Sequence, residues 1–166
     1  MNKERILILN QEHINWKLQR MAYEIWEHNS SETSVTLVGI DGSGWVMAMS
    51  LAERLRTISS MSVDVIALKM NKKQPVTTDI TIQENLSGRS VILVDDVANS
   101  GRTLLYALRP LLSFELKKIM IAVLVDRKHK SFPVSPDIVG HTVATTLQEH
   151  IEVETEGNAI IAAYLQ

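Results

Sequence analysis

The chain has 166 residues, 45% of them hydrophobic and 22% charged, and it contains no cysteine. That length bounds it at one domain with a sizeable core, that composition excludes wholesale disorder, and the lack of cysteine excludes disulfides and thiolate chemistry. A formal charge of −2, from 17 basic and 19 acidic residues, gives no overall pull toward nucleic acid or an anionic membrane.

No apolar run approaches the ~18 residues of a membrane-spanning helix. Ile6–Leu9 is too short to be the core of a signal peptide. The expectation is a soluble, cytoplasmic protein that does not bind membranes. Ile6–Leu9 reads as a short strand. Asn10 then stands where an N-cap belongs, with Glu12 in the first turn. Ile14, Leu18, Met21, Ala22, Ile25 and Trp26 recur at helical spacing, which predicts an amphipathic helix over 11–28. Trp16 and Trp26 read as core or interface side chains.

Val35–Ile40 is a second strand-like run, broken by Asp41-Gly42-Ser43-Gly44. Met47, Ala48, Leu51, Ala52 and Leu55 then mark a helix to about Arg56. The loop of this strand–loop–helix unit can present backbone N–H groups to an anion, although strand-to-helix turns also need glycine for purely structural reasons. Val63–Leu68, mostly apolar, is predicted as a central strand. In Lys69-Met70-Asn71-Lys72-Lys73-Gln74-Pro75, three lysines precede a proline with no apolar period, which is a loop. Asp79–Gln83 is predicted as a short returning strand, and Leu86-Ser87-Gly88-Arg89 as a turn.

Ser90–Val94 is short and rich in β-branched residues, as a strand buried on both faces requires. It runs into Asp95-Asp96-Val97-Ala98-Asn99-Ser100-Gly101-Arg102-Thr103, after which Leu104, Leu108, Leu111 and Leu112 take helical spacing. A helix N-terminus with free N–H groups attracts phosphate. Gly101 admits close backbone approach, Ser100 and Thr103 add hydroxyl donors, and Arg102 adds positive charge. Asp95 and Asp96 only accept, which suits vicinal sugar hydroxyls or a Mg²⁺-bound group. Phosphate donors beside sugar acceptors describe a pocket for a ribose 5-phosphate. Pro110 should kink or shorten the helix. Lys117–Val125 is a further buried strand. Asp126-Arg127-Lys128-His129-Lys130 follows at its carboxyl end, where open parallel sheets bind ligands. Residues 132–140 are extended by prolines, and Val143–Thr146 and Ile151–Glu154 are predicted as short β segments.

Val94–Thr103 resembles the phosphoribosyl pyrophosphate (PRPP) signature of type I phosphoribosyltransferases. Leu37–Leu55, Ser90–Thr103 and Ala122–Glu152 are similar to the bifunctional pyrimidine-operon attenuator/uracil phosphoribosyltransferase group. The resemblance implies an α/β fold: a central, mostly parallel sheet flanked by helices. It implies one domain over 1–166, with a small hood from about 1–12 and 127–166 that includes the N-terminal helix. It implies transfer of ribose 5-phosphate from PRPP to a nucleobase, a pyrimidine such as uracil, with release of pyrophosphate. The alternative is a nucleotide- or PRPP-sensing regulatory protein that binds RNA with weak or no catalysis.

In either case Asp95 and Asp96 would grip the ribose hydroxyls and Mg²⁺, and Ala98, Asn99, Ser100, Gly101, Arg102 and Thr103 would hold the 5′-phosphate. Asp41, Gly42, Ser43 and Gly44 would hold pyrophosphate. Lys69, Lys72 or Lys73 would serve in a closing lid, and Asp126 and Arg127 would border the base. Implied partners are PRPP, a nucleobase or nucleoside monophosphate, RNA, and further copies of the chain in a dimer or larger homo-oligomer. Two positions depart from the family pattern. Ser43 stands where a basic residue often precedes the second glycine. Asn99 stands where purine-type relatives carry an aspartate that takes a proton from the base, which an amide cannot do.

Overall fold

The structure, a computed structural model, describes residues 4–76, 80–146 and 148–166. The chain runs β1 (Ile6–Asn10), α1 (Gln11–His28), β2 (Ser34–Ile40), α2 (Ser43–Ile58), β3 (Ser62–Leu68), β4 (Ser90–Ala98), α3 (Arg102–Leu111), β5 (Lys118–Arg127), β6 (Ile138–Val143), β7 (Ile151–Glu156) and β8 (Ala159–Leu165). Five strands form a parallel sheet in the order β3-β2-β4-β5-β6, and three form a small antiparallel sheet in the order β1-β8-β7.

Alternation along the central strands builds two apolar layers. Leu37, Ile92, Val94 and Ala122 face α1 and α2, where they meet Leu18, Met21, Met47 and Leu51. Val38, Val91, Leu93, Ile121 and Val123 face the α3 side, with Leu104, Ala107 and Leu111. Both faces covered is the arrangement that parallel sheets require. α1 begins as its sequence dictates: the Asn10 side chain accepts from the backbone N–H of His13 at 2.9 Å. Pro110 sits in the last turn of α3. Beneath the sheet, buried Asn29 accepts from the Ser90 hydroxyl at 2.6 Å and donates to the Ile25 carbonyl at 2.7 Å.

Several expectations change. Val63–Leu68 lies in an edge strand, not a central one, which explains its half-exposed pattern. The residues 138–143 form the fifth strand of the main sheet, and the predicted β segment Val143–Thr146 reduces to the end of that strand. α1 covers the main sheet with α2 and is not part of the hood, which consists of β1, β7 and β8. Of the predicted strand Asp79–Gln83, Asp79 lies outside the described residues, and 80–83 run as irregular chain. Trp16 and Trp26 are not core side chains; they are 61% and 38% exposed.

The parallel order places the site. From β2 the chain moves outward to β3 through α2, and from β4 it moves the other way to β5 through α3. The reversal falls between the neighbours β2 and β4. Ligands of open α/β sheets bind beyond the strand ends at such a point. The Asp41–Gly44 loop and the Asp95–Thr103 loop leave the carboxyl ends of these two strands.

Candidate phosphate and ribose site

α3 opens without a side-chain cap. Its N-cap is Gly101, at φ 84°, and the first intrahelical bond is from Leu105 N–H to the Gly101 carbonyl at 3.0 Å. The earlier amides are the ones an α-helix leaves without helical acceptors, and no acidic side chain sits in that first turn. Ser100 Oγ accepts from Arg102 N–H in a long contact of 3.3 Å. Gly101 is there for two reasons. Its φ is in the left-handed region, and a Cβ would stand 3.3 Å from the Phe132 carbonyl oxygen. A brace holds the loop from behind: the amides of Ser131 and Phe132 both donate to the Ser100 carbonyl, at 3.0 and 3.1 Å.

A cavity of about 280 Å³ opens in front of these amides. It is lined by Lys72, by the stretch from Asp95 to Leu104, and by Ile151, Glu152 and Val153 of the hood. Asp95 is 1% exposed. Its Oδ1 accepts from Lys72 Nζ at 3.0 Å and from the Asp96 backbone N–H at 3.0 Å. Lys72 Nζ also stands 3.9 Å from Asp96 Oδ1. The first turn of α2 presses on the same carboxylate: a Cβ on Gly44 would lie 2.9 Å from Asp95 Oδ1.

Burial, then the neighbouring Asp96 carboxylate, push the Asp95 carboxyl up to about 8, against the opposing pull of Lys72. Burial draws the Lys72 ammonium down, but Asp95 and Asp96 outweigh it and hold that group above its ordinary value. Asp41 adds to the same field. So the two β4 acids converge on one ammonium group.

Residues 7–155 match the phosphoribosyl transferase domain family. The chain belongs to that family. Among curated relatives, it is 34% identical over 160 residues to bifunctional protein PyrR of Haemophilus ducreyi, covering 90% of this chain and 89% of that one. It is likewise 34% identical over 157 residues to bifunctional protein PyrR of Halalkalibacterium halodurans, covering 87% of each. Among solved structures, a hypoxanthine-guanine phosphoribosyltransferase of Bacillus anthracis superposes with a TM-score of 0.75 at 17% identity, over 97% of this chain and 96% of that one. The hypoxanthine phosphoribosyltransferase of Trypanosoma cruzi, in complex with IMP, gives 0.76 at 15% identity over 94% and 88%. The type I phosphoribosyltransferase fold read from the sequence is therefore the fold of this protein.

Within that fold the predicted residues fare differently. Asp95, Asp96 and the whole Ala98–Thr103 loop line one cavity. Of the three lysines, Lys72 reaches it. Lys69 lies in a groove along the edge strand with Val65 and Ile82, and the backbone N–H of exposed Lys73 donates to Asn71 Oδ1 at 3.0 Å. Asp41, Gly42, Ser43 and Gly44 stand outside the cavity lining; exposed Asp41 accepts from its neighbour, the Gly42 N–H, at 3.1 Å. Asp126 and Arg127 are also outside it. Asp126 is engaged by Lys130, and buried Arg127 donates to Thr145 Oγ1 at 2.6 Å and to the Thr146 carbonyl at 2.8 Å. The sequence puts Ile151–Glu154 in the hood over the base without marking Ile151, Glu152 or Val153 as lining residues, and it gives no sign of the brace from Ser131 and Phe132. Both are contacts between segments far apart in sequence, and no local spacing announces them.

Among the described residues, no three carboxylate or imidazole groups converge as a metal cage. A Mg²⁺ ion usually takes one or two carboxylates and fills its octahedron with water and substrate phosphates. The Asp95–Asp96 pair suits that habit.

Proposed function

We propose that this protein is a nucleotide-responsive regulator that binds PRPP or a nucleoside monophosphate in the Asp95–Thr103 cavity, transfers phosphoribosyl groups weakly, and binds RNA. The observation that carries the reading is one cavity bounded by the open amides of α3 on one side and two adjacent carboxylates on the other. The amides and hydroxyls from Ser100 to Thr103 anchor the 5′-phosphate, helped by the positive end of the helix. Asp95 and Asp96 accept from the 2′- and 3′-hydroxyls. The same two carboxylates would hold Mg²⁺ together with substrate oxygens and water, and the ion would supply positive charge to the pyrophosphate group.

Catalysis at such a site is positioning and charge stabilisation, and here three features make it weak. Asn99 cannot accept a proton from a base. Ser43 leaves the Asp41–Gly44 loop without a basic side chain, so pyrophosphate relies on backbone donors. Asp126 and Arg127 spend their polar groups on Lys130, Thr145 and Thr146. Where transfer occurs, a pyrimidine such as uracil is the acceptor, since Asn99 disfavours the purine mechanism. Lys72 serves as the lid lysine.

One surface supports the RNA arm. Ile8, Leu9, His13, Trp16, Lys17, Arg20 and His141 surround a cavity of about 520 Å³. Exposed Trp16 stands against His13 with ring centroids 5.6 Å apart. Arg20 is pinned by Glu24 at 2.7 Å and by the Val139 and Gly140 carbonyls. Cations interleaved with an aromatic ring suit a single-stranded nucleic acid.

The test has three arms: calorimetric titration with PRPP and with UMP, pyrophosphate release with Mg²⁺, PRPP and a panel of bases, and an RNA mobility shift across a salt series. Nucleotide binding, slow release with uracil only, and salt-dependent RNA binding are expected. Rapid turnover without RNA binding would make the protein a plain salvage enzyme. No binding of PRPP or UMP would remove the reading.

A further inference from the structure

We propose that Lys72 is a built-in cation of the acid pair, and that a divalent ion or a ribose engages Asp95 and Asp96 only by displacing it. This rests on reading the pair as the ribose and metal ligands, and it adds how access to them is controlled.

The geometry is that of a plug. Lys72 Nζ lies 3.0 Å from Asp95 Oδ1 and 3.9 Å from Asp96 Oδ1, so one ammonium spans both carboxylates. Among the described residues, Lys72 is the cation that Asp95 pairs with. The Asp95 side chain is 2% exposed, the Gly44 turn closes over it, and its other donor among the described residues is the neutral backbone amide of Asp96. A buried carboxylate is costly unless it is paired or takes up a proton, and the loop after β3 lays an ammonium across the pair. The loop is shaped to deliver it. Asn71 Oδ1 accepts from the amides of both Lys73 and Gln74, at 3.0 and 3.2 Å, a local turn centred on Lys72. The Lys72 side chain is 39% exposed, so it can leave the pair for water or for an incoming phosphate. The ammonium thus holds the empty site together and competes with the cation that a substrate would bring.

The exchange is read without catalysis, by titrating the full chain with Mn²⁺ alone and following water-proton relaxation. Lys72→Met should bind Mn²⁺ about tenfold more tightly than the natural protein, equivalent to ~1.4 kcal/mol. Lys73→Met, which removes an equal charge one residue away, should stay within about twofold of the natural protein, a difference under ~0.5 kcal/mol. The gain should vanish in Lys72→Met/Asp96→Asn. Equal gains in Lys72→Met and Lys73→Met, no gain in Lys72→Met, or a gain that survives loss of Asp96 each overturn the proposal. Should Lys72→Met fold poorly, the natural protein carries the test: its Lys72 side-chain ¹⁵N resonance should shift on saturation with Mg²⁺, and an unmoved resonance overturns the exchange. Ribose 5-phosphate binding, measured separately by calorimetry, tests the underlying reading. Its loss with the Mn²⁺ exchange intact removes the ribose assignment and leaves the cation plug standing.

Discussion

Replacing Asp95 with asparagine should stabilise the ligand-free protein at pH 8 and abolish its grip on ribose. Burial raises the carboxyl from 3.8 to about 8 in the folded chain. Between those values the folded state holds a proton that the unfolded chain releases. Folding stability therefore falls as pH rises from about 4 to about 8, and is undiminished below about 4. At pH 7 the separation from the unfolded value is roughly three units at ~1.4 kcal/mol each, on the order of 4 kcal/mol. Asparagine keeps an acceptor for the Asp96 N–H and carries no charge to bury. It gives up the Lys72 contact, and because Lys72 is 39% exposed its ammonium returns to water at a loss of about 1 kcal/mol. A net gain of ~2–3 kcal/mol near pH 7–8, shrinking toward zero near pH 4, is the expected outcome. Urea unfolding of both proteins from pH 4.5 to 8.5 measures it. Parallel pH profiles, or a less stable variant at pH 8, would show that pairing with Lys72 outweighs the cost of burying the Asp95 charge, and would refute the expected gain.

Three further substitutions probe the elements that build the site. Asn10→Ala removes the acceptor for the His13 amide and should cost ~1 kcal/mol of stability in urea unfolding, with nucleotide affinity unchanged. Gly101→Ala forces a side chain into the left-handed region and toward the Phe132 carbonyl. It should cost ~1–2 kcal/mol and weaken UMP binding in calorimetry, whereas unchanged binding would mean the phosphate sits elsewhere. Gly44→Ala places a methyl 2.9 Å from Asp95 Oδ1 and 3.0 Å from the Val94 carbonyl oxygen. The first turn of α2 must shift at a cost of ~1–3 kcal/mol, and PRPP binding should fall while inorganic phosphate binding at the α3 loop survives.

The parts of the fold with a clear period were legible in the sequence. Helix α1 over 11–28 and its Asn10 cap follow from one apolar stripe and one side chain. The β4–α3 unit was legible because a short apolar run, two acids and a glycine loop each impose a distinct local geometry. Position within the sheet was not. Val63–Leu68 looks central by composition, yet it is an edge, because strand order depends on crossover direction rather than on the strand's own residues. Arg127 shows the same limit. Placement at a strand end, with the resemblance, suggested a residue bordering the base, and only the path of 145–146 shows its guanidinium bonded to Thr145 and Thr146 instead. Among three lysines in one loop, sequence could not choose Lys72. The choice is made by the Asn71 turn together with the reach to a carboxylate 23 positions away.

The edge position of β3 gives the segment after the lysine loop a second duty. Thr81, Ile82, Gln83 and Glu84 border a groove with Val65, Ile66 and Ala67, while Ile80 and Leu86 are anchored in the core of the α3 face. A bare outer strand is a template for another chain, and natural proteins screen such strands with loops or charges. Shortening this connection to rigidify the lysine loop would therefore also strip the screen from β3, and the first symptom would be self-association through that strand rather than a change in ligand affinity.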